Sequence, residues 1–83
     1  MMLLSVMQVI FTSKESMSEF ESVLSFVAKS VSGVLQVKTG HAEMFVVLPA
    51  GECKLKFKNK TDQSITITGG VCHVFEDTIT VVA

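Results

Sequence analysis

The sequence contains no tryptophan, no tyrosine and no arginine, so phenylalanine supplies its only large aromatic rings. Arginine is the side chain best suited to hold phosphate or carboxylate groups through two hydrogen bonds, and its absence argues against nucleotide binding. Tyrosine, tryptophan and arginine also dominate the energetic centres of protein interfaces. Any contact with a partner must therefore rest on phenylalanine, methionine and aliphatic side chains.

Charge is also scarce, because charged residues make up 18% of the chain and the formal net charge is −1. This balance gives no whole-molecule attraction to nucleic acid or to a membrane surface, and neither is expected as a partner. An apolar fraction of 48% excludes intrinsic disorder, which requires low hydrophobicity and high net charge. The composition indicates a folded chain with a core.

The length of 83 residues allows one small domain, and no linker, repeat or low-complexity tract divides it. We therefore predict a single domain over residues 1–83. A high apolar fraction in so short a chain is commonly accommodated by oligomerisation. We expect a dimer or trimer of this chain, attachment to a larger protein assembly, or both.

Motifs that carry catalysis or cofactor binding are missing: the sequence has no P-loop, dinucleotide-binding glycine pattern, zinc-protease motif or nucleophile elbow. Cys72 and His73 are adjacent, but neighbouring side chains of a strand point to opposite faces, which argues against a nucleophile–base pair. Cys53 and Cys72 lack the paired spacing of a zinc site, and buried thiols are favoured over a metal site or a disulfide. No enzyme activity, cofactor, metal or small-molecule substrate is expected.

The first eleven residues form an apolar run that resembles part of a secretion signal. No basic residue precedes the run, Gln8 interrupts it, and no small-residue cleavage pattern follows before Lys14. About eleven residues are also too few to span a bilayer as a helix. We interpret the run as a buried strand, with neither a signal peptide nor a membrane span.

One segment has the spacing of an amphipathic helix. Residues 12–15 and 16–19 each match a capping box, and acidic residues cluster in the turns that follow. Apolar side chains then recur at three- and four-residue steps, and Gly33 is placed to end the helix. The members of this stripe are Met17, Phe20, Leu24, Val27 and Val31, widened by Val23 and Phe26.

After Gly33 the sequence predicts short strands separated by turns, over residues 34–38, 42–48, 53–58, 64–68, 71–75 and 78–82. Their connections are short, so most neighbours should pair antiparallel. The predicted fold class is α+β, with one amphipathic helix packed on a mostly antiparallel sheet of six to seven strands, in the order β-α-β-β-β-β-β-β.

The strand predicted over residues 42–48 is apolar on both faces. Phe45 and Val47 alternate with Met44, Val46 and Leu48, whereas a half-solvated strand alternates apolar and polar residues. Such a strand is either covered on both sides within its own fold or meets another subunit, and the two alternatives carry equal weight. The predicted interface residues are Phe45, Val47 and Met44.

The next strand alternates apolar side chains with lysines. Lys54, Lys56 and Lys58 should project from one face, with Lys60 just beyond. The stripe either protects the sheet from aggregation or binds an acidic protein face or a polynucleotide. Binding of single-stranded nucleic acid needs stacking aromatics, and the interleaved Phe57 should point inward, so a solvated stripe is favoured.

Residues 45–82 carry a recognisable order of turn and strand motifs. It runs through a Leu-Pro-Ala-Gly turn at 48–51, a Leu-Lys-Phe-Lys-Asn segment at 55–59, a Ser-Ile-Thr-Ile-Thr-Gly-Gly segment at 64–70 and Asp-Thr-Ile at 77–79. This order resembles the β modules of bacteriophage tail fibres and head-decoration proteins. The resemblance implies Thr- and Ile-rich hairpins that build trimeric stalks or caps on a virion, without catalysis.

These features together predict a non-enzymatic structural protein that self-associates or caps a larger assembly. The resemblance makes it a virion decoration or fibre-associated subunit, located in the virion or the cytoplasm. The alternative is a small inhibitor or adaptor that binds a protein or nucleoprotein through the lysine stripe of residues 54–60. Binding led by charge should weaken steeply with added salt, whereas apolar self-assembly should not.

Overall fold

The computed structural model describes residues 6–83, and over that range the chain forms eight β-strands and no helix. The strands are β1 (Met7–Thr12), β2 (Met17–Ser30), β3 (Gly33–Lys38), β4 (Met44–Leu48), β5 (Gly51–Phe57), β6 (Gln63–Ile67), β7 (Gly70–Phe75) and β8 (Thr78–Val82). Within these described residues, no helix is long and apolar enough to cross a membrane. The first five residues of the N-terminal apolar run lie outside the described residues, and β1 begins inside the remainder of that run.

Hydrogen bonds between neighbouring strands give the sheet order β4-β7-β8-β1-β2-β5-β6. The remaining strand, β3, pairs with β2. Every pair is antiparallel except β1 with β8, which run parallel. The 14-residue β2 pairs with β1 along its first half and with β3 along its second half, while β5 pairs with its middle. Strand β2 therefore joins a first half-sheet, β4-β7-β8-β1, to a second half-sheet, β3-β2-β5-β6.

The inner faces of the two half-sheets share one hydrophobic core to which all eight strands contribute. Strand β5 shows the alternation most clearly, because Cys53, Leu55 and Phe57 are buried while the lysines between them are exposed. Complete burial of a large aliphatic or aromatic side chain stabilises a fold by about 1.5–3 kcal/mol. The fully buried large side chains are Phe26, Leu48, Leu55, Ile79, Val9, Val23, Val37, Val74 and Val81, together with Cys53 and Cys72. Each half-sheet thus covers the other, and neither needs a helix to cover it.

The predicted amphipathic helix is wrong, because its residues form the strand β2. Its inward side chains Phe20, Val23 and Phe26 are spaced three apart, whereas an unbroken strand would space them two apart. The extra residues come from two β-bulges, one between Phe20 and Val23 opposite β1 and one between Val23 and Ser25 opposite β5. A twice-bulged strand therefore reproduces the three-residue spacing of a helix.

The first bulge is marked by Ser22, whose φ of 59° lies in the left-handed region. The Ser22 carbonyl accepts a hydrogen bond from the Lys58 N–H over 3.0 Å, which ties the bulge to the end of β5. Of the predicted capping-box residues, 13–16 form the β1–β2 turn, where the Ser13 N–H donates to the Ser16 carbonyl over 2.8 Å, and the others lie at the ends of β1 and β2. The fold class is therefore all-β, not α+β, although each strand predicted after Gly33 is present.

Candidate interaction surfaces

Strands β4 and β7, at one end of the sheet order, carry large apolar side chains on their outer faces. Phe45 is 69% exposed and Val47 is 60% exposed. Val47 pairs with Val71 on β7, and Val71 pairs in turn with Val82 on β8, so these side chains share one surface. We define the apolar face as the exposed residues Phe45, Val47, Val71, Phe75 and Val82. The solvated face of an antiparallel sheet is normally polar, so this contiguous patch has the character of an interaction surface.

The His73 ring lies between two phenylalanines of the apolar face. It stacks on Phe45 with the ring centroids 4.2 Å apart and the planes 8° from parallel, and on Phe75 at 6.0 Å and 11°. The Nε2 atom of His73 lies 2.9 Å from a carboxylate oxygen of Glu43, which accepts a hydrogen bond when that nitrogen is protonated. Stacking and hydrogen bonding together fix the orientation of the imidazole, so the three rings form an ordered ladder across β4 and β7.

The predicted interface residues are divided between the two faces of β4. Phe45 and Val47 lie together on the exposed face, whereas Met44 is partly buried and packs against the core. The sequence-based prediction also missed Val71 and Phe75 as members of the same surface. Strand alternation places both on the face of His73, but the pairing of β4 with β7 is a long-range contact that no local pattern indicates.

The lysine stripe is exposed but does not continue as one row. Lys54 and Lys56 extend from the outer face of β5, and Lys58 follows the end of that strand. Lys60 departs from the row, because its Nζ atom lies 4.4 Å from the centroid of the Phe57 ring in a cation–π contact. The stripe therefore ends where the chain leaves β5.

Cys53 and Cys72 are free thiols, and the side chains of both are buried, which is the burial that the sequence predicts. Burial raises the pKa of each thiol from 9.0 to about 11, and for Cys72 the nearby Cys53 adds a smaller Coulombic contribution. Both are therefore protonated at neutral pH, and a protonated thiol is a poor nucleophile and a poor metal ligand. Among residues 6–83, no group of three or more His, Cys, Asp or Glu side chains is arranged to hold a metal ion.

Comparison with known proteins identifies the family from which this fold comes. Residues 6–83 match the family model described as ATP synthase, Delta/Epsilon chain, beta-sandwich domain. The chain belongs to this family. The ATP synthase epsilon chain of Acinetobacter baylyi is 31% identical over 61 residues, which are 74% of this chain and 44% of that relative. The epsilon chain of Chlorobium limicola is 33% identical over 52 residues, which are 63% of this chain and 59% of that relative.

Two solved structures have the same fold as this chain. A chain of the Tetrahymena thermophila mitochondrial ATP synthase, in a structure of the central stalk and c-ring, superposes with a TM-score of 0.78 at 20% identity, over 94% of this chain and 63% of that one. A chain of the Euglena gracilis mitochondrial ATP synthase gives a TM-score of 0.86 at 15% identity, over 98% and 52%. The chain therefore spans less than half the length of its Acinetobacter relatives and about half that of the Euglena chain.

These findings overturn the resemblance of residues 45–82 to bacteriophage tail-fibre and head-decoration modules. The virion location and the virion-decoration function are wrong with it, and so is the alternative of an inhibitor or adaptor acting through Lys54, Lys56, Lys58 and Lys60. The comparisons give no support to a homodimer or homotrimer either. The motifs that suggested a phage module are turn and strand residues common to antiparallel sheets in general, so they do not discriminate between families.

Proposed function

We propose that this chain is the β-sandwich domain of a delta/epsilon-type subunit and acts as a non-catalytic component of an ATP synthase. The proposal is supported by the family match over residues 6–83 and by relatives that are ATP synthase epsilon chains. Because one core unites all eight strands, the proposal treats the chain as a single domain. The proposed location is the membrane-bound synthase complex, where the chain is held by other subunits.

In this proposal the apolar face is the surface that docks on a neighbouring subunit. The observation that carries the proposal is the combined exposure of Phe45, Val47, Val71, Phe75 and Val82 on one sheet face. Burying a side chain such as Phe45 stabilises a complex by about 1.5–3 kcal/mol. The stacked rings of Phe45, His73 and Phe75 are already ordered, so docking loses little side-chain entropy.

The partner proposed for the apolar face is a subunit of the synthase stalk. The Tetrahymena chain comes from a structure of the central stalk and c-ring, and the Euglena chain from one of OSCP, F1 and the c-ring. Both chains have the fold described above and belong to rotary assemblies of many subunits. A small sandwich with a solvent-exposed apolar face fits the role of a docked stalk component.

Reconstitution with the other subunits of an ATP synthase tests this proposal. The tagged 83-residue chain should co-purify with the complex, and Phe45→Glu should weaken the association at least about tenfold, because a carboxylate would be desolvated at the contact. Thr66→Glu is the matched control, since Thr66 is exposed on a strand of the second half-sheet, away from the apolar face. Failure of the unmodified chain to associate, or equal loss in both variants, would contradict the proposal.

A further inference from the structure

Strand β6 forms one edge of the sheet, and its outer side is unpaired. It is the last strand of the order β4-β7-β8-β1-β2-β5-β6, and its one partner strand within residues 6–83 is β5. In the described part of the chain, no backbone hydrogen bond from a turn or loop reaches residues 63–67 either. The outward N–H and C=O groups of β6 are therefore available to pair with another strand.

The sequence of β6 lacks the features that usually protect an open edge. Natural edge strands are kept from pairing with other chains by lysines, prolines, bulges or a covering segment. The strand Gln63–Ile67 contains no charged residue and no proline, and its pairing with β5 shows no bulge. An edge without these protections is suited to binding an extended segment of another chain.

A cleft, which we name the edge cleft, lies along the outer side of β6. It has a volume of about 270 Å³ and is lined on one side by residues 65–68. The facing wall is formed by the ends of β1 and β8, the β1–β2 turn and the start of β2, and it includes Phe11, Ser18 and Val81. Of the described residues that line the cleft, four are consecutive at the end of β6 and none belongs to β5. The cleft therefore lies on the side of β6 away from β5, where a further strand would be placed.

The side chains around the edge cleft determine which segment fits it. None of the side chains that line it carries a charge. On β6 itself, Ile65 and Ile67 pack towards the core, whereas Ser64 and Thr66 are exposed. A strand added at this edge would continue both faces, with apolar side chains on the inner face and hydroxyl side chains on the outer face. The volume lies below the range of about 300–1,000 Å³ that is usual for small-molecule sites, which favours an extended backbone over a compact ligand.

We propose that the edge cleft binds an extended, uncharged segment of a partner protein as an additional β-strand. The backbone of the segment pairs with β6, and its inward side chains rest against Phe11 and Val81 on the facing wall. That wall leaves room for a single strand, whereas a second copy of this chain would bring its own cleft wall against it. The edge cleft is separate from the apolar face, and the segment that it binds need not belong to the subunit that docks there.

A defined peptide tests the edge cleft with the 83-residue chain as it is. The probe is the uncharged peptide acetyl-Ser-Thr-Val-Thr-Val-Thr-Ser-amide, which at about 3.4 Å per residue is longer than β6. Titration into the ¹⁵N-labelled chain should shift the backbone signals of residues 64–67. It should also slow hydrogen exchange at the outward amides of β6, which exchange fast in the free chain. The same peptide N-methylated at every residue keeps its side chains but cannot donate backbone hydrogen bonds, and it should cause neither change.

Matched serine variants locate the binding site. Ser18→Lys fills the edge cleft from its facing wall and should weaken binding of the peptide by about tenfold. Ser32→Lys adds the same charge at an exposed position between β2 and β3, and it should leave the affinity unchanged. The NMR spectrum reports whether each variant is folded. Phe45→Glu, on the apolar face, should also leave the affinity for the peptide unchanged, so a failure of this proposal is distinguishable from a failure of the docking proposal.

Three results would overturn the binding of a partner strand at β6. The first is a peptide that shifts no signal of β6, and the second is an N-methylated peptide or a Ser18→Lys variant that binds as tightly as the unmodified pair. The third is a free chain that is already dimeric with its outward β6 amides protected, because a second copy then occupies the edge.

Discussion

The path of β2 depends on Ser22, and substitutions there test the bulge that distinguishes this strand from a helix. A left-handed backbone costs an ordinary L-residue roughly 1–2 kcal/mol, with asparagine among the exceptions. The φ of 59° at Ser22 therefore predicts opposite outcomes for two replacements. Ser22→Asn should be tolerated, whereas Ser22→Val places a stiff, β-branched side chain in a conformation that it resists. We expect the valine variant to be less stable than the asparagine variant by about 1–2 kcal/mol.

Urea unfolding followed by circular dichroism measures this difference directly. Thermal unfolding gives the same difference as a shift in Tm. In a domain of this size, a loss of 1 kcal/mol lowers the Tm by about 4–8 °C, so the Tm values of the two variants should differ by about 4–16 °C. Ser64→Val, at an exposed position of β6 without a positive φ, is the control and should change stability by less than about 0.5 kcal/mol. A Ser22→Val variant as stable as Ser22→Asn would refute the left-handed bulge, and with it the explanation for the helix-like spacing of β2.

Three other predictions follow from burial. Phe26→Ala should cost about 3–5 kcal/mol, whereas Phe45→Ala should cost the isolated chain less than about 1 kcal/mol; similar urea midpoints would show that the core is misplaced. Because the pKa values of Cys53 and Cys72 rise from 9.0 to about 11 on folding, the unfolded chain releases protons first, and the free energy of unfolding should fall as pH rises through that range. In a variant with both cysteines replaced by alanine, the free energy of unfolding should fall less over this pH range. Identical pH profiles for the variant and the unmodified chain would contradict the prediction. Gly70→Ala should lower the Tm by several degrees, because a Cβ there would collide with the β8 backbone; an unchanged Tm would count against the β7–β8 packing.

Strands β5, β6 and β8 were predictable because apolar and polar side chains alternate along them. In β5 the buried Cys53, Leu55 and Phe57 are separated by lysines, and that period of two identifies the strand and both of its faces. Strand β2 was not predictable in the same way, because its bulges are set by pairing with β1 and β5, far along the chain. The serine at position 22 does not indicate a left-handed backbone, since glycine is the residue that usually marks such a position.

Only the part of the apolar face that lies on β4 was predictable from the sequence. Phe45 and Val47 stood out because β4 is apolar on both sides, which a half-solvated strand is not. On β7 the outward Val71 and Phe75 flank the polar His73, and only the pairing of this strand with β4 makes them part of a larger surface. The family was misjudged for a related reason, because turn and strand motifs report local geometry that many all-β proteins share.

The parallel pairing of β1 with β8 delays closure of the sandwich during synthesis on a ribosome. Gln8 pairs with Thr78 and Thr12 with Val82, so the first described strand completes its hydrogen bonding only with the last one. At about 5–20 residues per second, translation separates these strands by about 4–14 s. Throughout that interval one side of β1 is available to the strands of other nascent chains, and folding of this domain ends after its final strand has left the exit tunnel.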